Sequence, residues 1–452
     1  MKTMKTKNLL LIGAITVGLL TSCSKQEGCT DITAENFSAD AEKDNGSCTY
    51  AVTVIDPTVI NTITVSDNGS GTGTTTWTND KVYLLEGFVF VNSGQTLTIE
   101  PGTVIKGKPG TGANASALII AKGARINACG TASQPIIFTF EADPLDGSVP
   151  MTTTGQWGGL MLLGDAILNT VPTSQNIEGI PTSEGRGSYG GSNDADNSGS
   201  LCYISIRHGG TDIGAGNEIN GLTLGGVGSG TSIHHIEVVA NADDGVEFFG
   251  GAPNLKYILV TNVLDDSFDY DQGFRGKGQF WVAIENANSD RGGEHDGGTS
   301  PEDGTPYATP VIYNSTYIGN GSSRAITFRD NAGGEYHNSI FHNFGKGIDI
   351  EDLASGEDSK ARLDAGQLQL SGIVLSNIGA DLIVDNNGVD LFGHASITNI
   401  STVAASITGA NPVPTASLGT GVASVDSWYE NVTYIGAFDG TNWAQGWTLT
   451  FQ

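Results

Sequence analysis

Asp243-Asp244-Gly245-Val246-Glu247-Phe248-Phe249-Gly250-Gly251 lines up, 22 positions on, with Asp265-Asp266-Ser267-Phe268-Asp269-Tyr270-Asp271-Gln272-Gly273. A third copy, Asp290-Arg291-Gly292-Gly293-Glu294-His295-Asp296-Gly297-Gly298, follows after a three-residue insertion. The flanks keep the step: Ile236, Ile258 and Phe280 are each 22 apart, and Ile326-Thr327-Phe328 stands 22 before Ile348-Asp349-Ile350. A fixed period near 20 residues marks a solenoid in which each repeat is one coil stacked on the last. The units are short apolar runs broken by Gly, Asn and Asp, so the coil is built of strands. The expected fold is all-β, a parallel β-helix with capped ends.

Stacked coils place equivalent residues about 4.8 Å apart, the ordinary strand spacing. Glu247, Asp269 and Glu294 then form one column, and Asp243, Asp265 and Asp290 a second. A third reads Asp271, Asp296, Arg329, Glu351, with Arg329 placed to bridge carboxylates. If Val246, Phe248, Phe268 and Tyr270 point inward, alternation turns the first column outward. Like charges opposed on a sheet are unfavourable, so a cation, a hydrogen-bond network or a raised pKa must offset them. The ligand-binding candidates are Asp243, Asp244, Glu247, Asp265, Asp266, Asp269, Asp271, Asp290, Arg291, Glu294 and Asp296. The catalytic candidates are Asp265, Asp269, Glu294 and His295. His295 stands between Glu294 and Asp296, which are expected to raise its pKa and make it an acid or a pH-sensitive contact.

The chain has 49 Asp plus Glu against 21 Lys plus Arg, a net charge of −28. Such a surface repels phosphate backbones, which excludes nucleic acid as a partner. It suits a setting rich in divalent cations, and calcium is the expected cofactor if there is one. With 64 glycines, the chain is equipped for many tight corners. No phosphate loop, zinc helix or nucleophile elbow occurs.

Lys2, Lys5 and Lys7 precede a short apolar stretch from Asn8 to Leu20, too short to span a bilayer as a mature helix. It ends in Leu20-Thr21-Ser22-Cys23, which resembles a bacterial lipobox. The resemblance implies cleavage before Cys23, lipidation of Cys23 and a mature protein anchored to the membrane. Cys29 and Cys48 bracket a small acidic unit, and a disulfide there is the natural staple for an exported module. Its Gly28-Cys29-Thr30-Asp31 opening and Asn45-Gly46-Ser47-Cys48 ending resemble a Cys-bracketed repeat of Bacteroidetes surface proteins. Asp31, Asp40 and Asp44 are candidate calcium ligands, although the loop does not match the EF-hand pattern. Pairing of Cys129 with Cys202 is left open.

From Trp77 onward, Thr98-Ile99-Glu100-Pro101-Gly102-Thr103-Val104-Ile105, Gln134-Pro135-Ile136-Ile137-Phe138, Trp157-Gly158-Gly159-Leu160 and Tyr203-Ile204-Ser205-Ile206-Arg207-His208 resemble secreted bacterial right-handed β-helix proteins of the pectate-lyase-like type. The likeness covers roughly residues 77 to 350 and is similar to Bacteroidetes surface lipoproteins. It implies a right-handed solenoid and leaves the reaction open. The expected organisation is a signal peptide (1–22), a lipidated acidic module (23–50), a linker and N-cap (51–76), the β-helix (77–403) and an aromatic cap (404–452). Two polar insertions, Thr182 to Ser200 and Gly297 to Pro310, are expected to project on one face, where solenoids often bind.

These readings point to an outer-membrane lipoprotein exposed at the cell surface, serving in adhesion, glycan capture or partnership with an outer-membrane protein. The alternative is a polysaccharide lyase or glycoside hydrolase using the acidic columns. Stacked carboxylates suit a retaining hydrolase. The Gly-His-Gly and Arg-Ile-Lys segments of polygalacturonases are missing, however, and no lyase motif surrounds Arg275, Lys277, Arg291 or Arg329.

Overall fold

Four- to nine-residue runs rich in Ile, Val, Leu and aromatic side chains, each ended by a glycine or asparagine corner, leave the chain one way to bury both faces of its apolar stripes. It must coil and stack. The computed structural model describes residues 26–29, 37–41, 43–44, 61–214, 218–424 and 426–452. They fall into a unit within Met1–Ile55 and a second from Asp56 to Gln452. In the first, Glu27–Gly28 pairs in parallel with Lys43–Asp44, and Cys29 is buried and disulfide-bonded. Asp40 is exposed on a turn. The targeting segment, Cys23, Asp31 and Cys48 lie outside the described residues. Among the described residues, no helix is long and apolar enough to cross a membrane.

The second unit is a parallel β-helix. One sheet contains ten parallel strands in strict chain order, from Phe88–Val91 through Val246–Phe249, Phe268–Asp271 and Arg291–Asp296 to Ala380–Asp385. The other sheet is longer and turns a corner within single strands. Gly199–Arg207, Ser232–Val239, Asn254–Thr261 and Lys277–Ile284 each bend at one left-handed residue: Tyr203, His235, Tyr257 and Phe280, at φ 48 to 60°. The register is unchanged across the corner within each pair, but the step between coils is not uniform. Ile236 and Ile258 stack on Trp281, and Phe280 occupies the bend beside Tyr257. One extra residue between Gly273 and Lys277 displaces the expected 22-residue step to 23.

Coils begin before Trp77: Asn61–Ser66 already pairs in parallel with Lys81–Glu86. Inward columns fill the interior, one running Leu224, Phe248, Tyr270, His295, Phe328, Ile350. Aromatic rings stack down it and against its neighbours, with centroids 4.2 Å apart for Phe248–Phe274 and 4.1 Å for Tyr270–His295. Each such pair contributes about 0.5–1.5 kcal/mol beyond area burial. Cys129 and Cys202 face one another on adjacent coils and form a disulfide.

The aromatic C-terminal segment, expected as an end cap, instead covers a flank. Ala437, Phe438, Ala444 and Phe451 pack on outward-facing Leu259, Phe280 and Val282 of the longer sheet. The apolar outer surface of these strands is what the tail covers.

Turn geometry is exacting at Gly251, where φ is +75° and a Cβ would lie 2.4 Å from the Val227 carbonyl oxygen. Gly251→Ala is expected to lower stability by about 2 kcal/mol, read as a lower melting temperature with an unchanged circular-dichroism spectrum.

Candidate functional site

The outer face of the ten-stranded sheet carries the acids. Thr223, Glu247, Asp269, Glu294, Thr327 and Asp349 form one outward column, each in register with the next. The preceding turns bring Asp243, Asp244, Asp265, Asp266 and Asp290 alongside. Within each of three groups, Asp243–Asp244–Asp265, Asp244–Glu247–Asp269 and Asp265–Asp266–Asp290, one carboxylate oxygen from each residue lies within 4.8 Å of the others. The result is an acidic trench.

Two insertions wall it. Residues 164 to 198 fold over the first coils and cover an apolar patch that includes Ile119, Met161, Leu168, Ile177 and Tyr189. The loop after Gly297 meets this lobe: Asn169 Nδ2 donates to the Gly297 carbonyl at 2.8 Å, and Val171 N–H to that of Ser300 at 2.9 Å. The expected Gly297–Pro310 insertion therefore meets the lobe that carries the expected Thr182–Ser200 insertion, through residues that precede the latter. Asp271 is enclosed at this junction, accepting from Thr299 Oγ1 at 3.1 Å.

Positive charge is confined to one end. Arg291 lies 2.6 Å from Asp290, 2.7 Å from Glu294 and 3.5 Å from Asp266. Arg329 reaches Asp296, its neighbour in the anticipated third column, at 2.7 Å, and crosses to Glu294 of the first column at 2.9 Å, while Glu351 accepts from the Asp330 N–H instead. Among the described residues, Asp243, Asp244, Glu247, Asp265 and Asp269 have no cation within ion-pairing distance. Hydrogen bonds compensate only part of this. Asn220 Nδ2 donates to Glu247, and Asp266 N–H to Asp244 Oδ1 at 2.9 Å. Buried oxygens remain unpartnered: Asp266 Oδ1, Asp269 Oδ1, Asn220 Oδ1 and Thr223 Oγ1.

Burial, reinforced by neighbouring carboxylates, raises the proton affinity of the trench. It holds Asp244, Glu247, Asp266 and Asp269 well above the usual carboxylate range. Asp243 is pushed up to about 7, with Glu178, Asp265 and Glu218 adding to the effect, and Asp271 up to about 6. For Asp265, Glu294 and Asp296, burial outweighs the nearby guanidinium groups and the pKa is raised. Such a site can hold protons or hard cations, which prefer clustered oxygen ligands.

His295 is not part of it. Because Glu294 faces out, alternation turns His295 inward, where it is fully buried and stacks on Tyr270. Nδ1 contacts the Glu294 carbonyl at 2.6 Å and Nε2 the Tyr336 hydroxyl at 2.8 Å. Burial pushes its pKa down to about 3, opposite to the expected direction. It is a neutral core residue.

Four contributors escaped the reading of the repeat. Asn220 and Thr223 occupy the places of Asp244 and Glu247 one coil earlier, but at an offset of 24 residues rather than 22. Asn220-Gly221-Leu222-Thr223-Leu224-Gly225-Gly226 is a neutral copy of the motif. Glu178 and Glu218 stand outside the repeat pattern.

A family model described as a pectate-lyase-like β-helix domain matches residues 69–448, and the chain belongs to that family. No curated protein and no solved structure matches the chain.

Proposed function

Starting from a pectate-lyase-like β-helix, we propose that this chain is a surface-exposed bacterial outer-membrane lipoprotein that binds acidic polysaccharide along its trench, with calcium as the bridging ion. One observation carries the reading: a cluster of carboxylates with unpartnered buried oxygens and no cation along most of its length. An all-oxygen donor set at this density fits a hard divalent cation. Asp244, Glu247 and Asp269 would hold one ion, and Asp265, Asp266 and Asp290 another. Bound calcium supplies the positive charge that an anionic polymer needs on this face. The charge pattern at the amino terminus and the lipobox-like Leu20-Thr21-Ser22-Cys23 support export and anchoring.

Asp243, pushed up to about 7, is half protonated near neutrality and lies beside Asp265, which favours a hydrolase as the second reading. One experiment addresses both. The protein is incubated with polygalacturonate and alginate, in calcium and in chelator, and retention, new reducing ends and unsaturated products are followed. Calcium-dependent retention without product, lost in Asp266→Asn/Asp269→Asn, is expected. Product that disappears in Asp243→Asn would make the trench an active site. Equal retention in chelator would remove calcium from the account.

A further inference from the structure

A recess of about 480 Å³ opens on the other side of the solenoid, on the longer sheet, and is lined by Ser232, His234, Asn254, Lys256, Trp428 and Glu430 among others. Its volume falls within the range of small-molecule sites. We propose that this recess is a carbohydrate subsite for an uncharged hexopyranose unit of a glycan.

The chemistry is balanced, unlike that of the trench. Lys256 Nζ lies 3.5 Å from Glu430, so the one cation is matched by one anion. The two histidines repeat that balance. His234 Nδ1 and His235 Nδ1 are 2.9 Å apart, so one must donate to the other. In the neutral imidazoles, the donor's Nε2 is then an acceptor and the acceptor's Nε2 a donor. Burial keeps both rings neutral by lowering their pKa values, to about 3 for His235. Neither Nε2 makes a hydrogen bond among the described residues. The recess therefore offers paired donors and acceptors with no net charge. Sugar hydroxyls, which donate and accept, match this set; a phosphate or uronate does not.

The walls are preorganised. His235 is held flat between Tyr203 and Tyr257, with centroids 4.3 Å from each, and all three sit in left-handed backbone that is costly for residues with a Cβ. Tyr257 donates its hydroxyl to Glu430 at 2.9 Å, fixing that carboxylate. Trp428, half-buried, brings a ring over which Lys256 Nζ lies at 4.8 Å. An indole beside polar forks presents the apolar surface that the C–H face of a pyranose requires. Trp428 and Glu430 come from the C-terminal segment, so that segment completes the subsite as well as covering the flank.

Cellohexaose, xylohexaose, mannohexaose and laminarihexaose are titrated calorimetrically into the full chain, in chelator and in a detergent without a sugar headgroup. At least one is expected to bind with a Kd on the order of 0.1–1 mM. Trp428→Ala is expected to weaken it by about tenfold or more. Lys256→Met, at a partly exposed position that leaves the fold intact, should weaken it by roughly fivefold. Asp266→Asn/Asp269→Asn in the trench should leave it unchanged, so failure here is distinguishable from failure of the calcium reading. Absence of binding by all four oligosaccharides, or binding that survives both Trp428→Ala and Lys256→Met, would overturn the proposal.

Discussion

In chelator, the melting temperature is expected to fall as pH rises from 4 to 7, and millimolar calcium is expected to reduce that fall substantially. Asp243 titrates at 3.8 in its ordinary state and at about 7 in the fold, and Asp271 moves from 3.8 to about 6. Between those values the folded chain binds more protons than the unfolded chain, so stability decreases as pH increases. Below the ordinary value both states are protonated and the penalty is absent; above the folded value it is complete. At about 1.4 kcal/mol for each tenfold change in proton affinity, these two groups together cost roughly 7 kcal/mol by pH 8. Asp244, Glu247, Asp266 and Asp269 shift in the same direction and add to the slope. Arg291 and Arg329 oppose it only at Glu294, Asp296 and their immediate neighbours.

Calcium binds the ionised trench of the folded state and so acts against the penalty. An ion present at about 100 times its Kd stabilises by about 2.7 kcal/mol per site. Two occupied sites therefore offset part of the loss, and the curve in calcium should fall much less steeply from pH 5 to 8. The variant Asp266→Asn/Asp269→Asn gives the mirror image: higher stability than the parent in chelator at pH 8, and a melting temperature that calcium no longer moves. Superimposable pH curves with and without calcium would sink the cation reading. A chelator curve that rises from pH 4 to 7 would sink the account of the trench as desolvated.

Much of this was legible because the repeat is phased on charge. Asp243, Asp265 and Asp290, like Glu247, Asp269 and Glu294, announce the columns by spacing alone, and apolar neighbours fix which face they take. Alternation also carried the information about His295: if Glu294 faces out, the next residue faces in. Reading it with its acidic neighbours overlooked that period of two. The 22-residue step concealed Asn220 and Thr223, whose coil is longer by two residues, and misplaced Phe280, where one added residue rotates an aromatic into the corner. Glu178 and Glu218 carry no periodic signal, because what places them is the folding of an insertion or turn back over the sheet. Nor does composition say where the tail lies. An aromatic segment needs an apolar surface, and the sequence does not show which of the available surfaces lacks cover.

One buried carboxylate anchors the last residues of the tail, and Glu237→Ala is expected to loosen them. Glu237 is fully buried within Ser232–Val239. It accepts from the backbone N–H of Leu449 at 2.8 Å and of Thr450 at 2.9 Å, from Thr450 Oγ1 at 2.8 Å, and from Ser205 Oγ. Ser205 in turn accepts from Arg207 Nε at 2.8 Å. Arg207 is itself buried, and Glu237, more than Asp143, supports its charge against desolvation. Truncation removes the anion, leaves two tail amides unpaired and strands a guanidinium in the interior. A buried charge left without its partner costs about 3–5 kcal/mol, and unmet hydrogen-bond donors about 1–3 kcal/mol each. The tail escapes most of that cost by leaving the flank, where its amides find water. The expected outcome is early proteolytic cleavage between about residues 430 and 450, with the coils still resistant. Glu237→Gln, which keeps one acceptor oxygen, should lie between the parent and the alanine variant. Because Trp428 and Glu430 belong to the same segment, Glu237→Ala should also weaken oligosaccharide binding at the neutral recess while leaving calcium binding in the trench intact. Cleavage rates equal to the parent's would show that the tail is held by its apolar contacts with Leu259, Phe280 and Val282 and its hydrogen bonds to Gln279, Asn314 and Thr316, without need of Glu237.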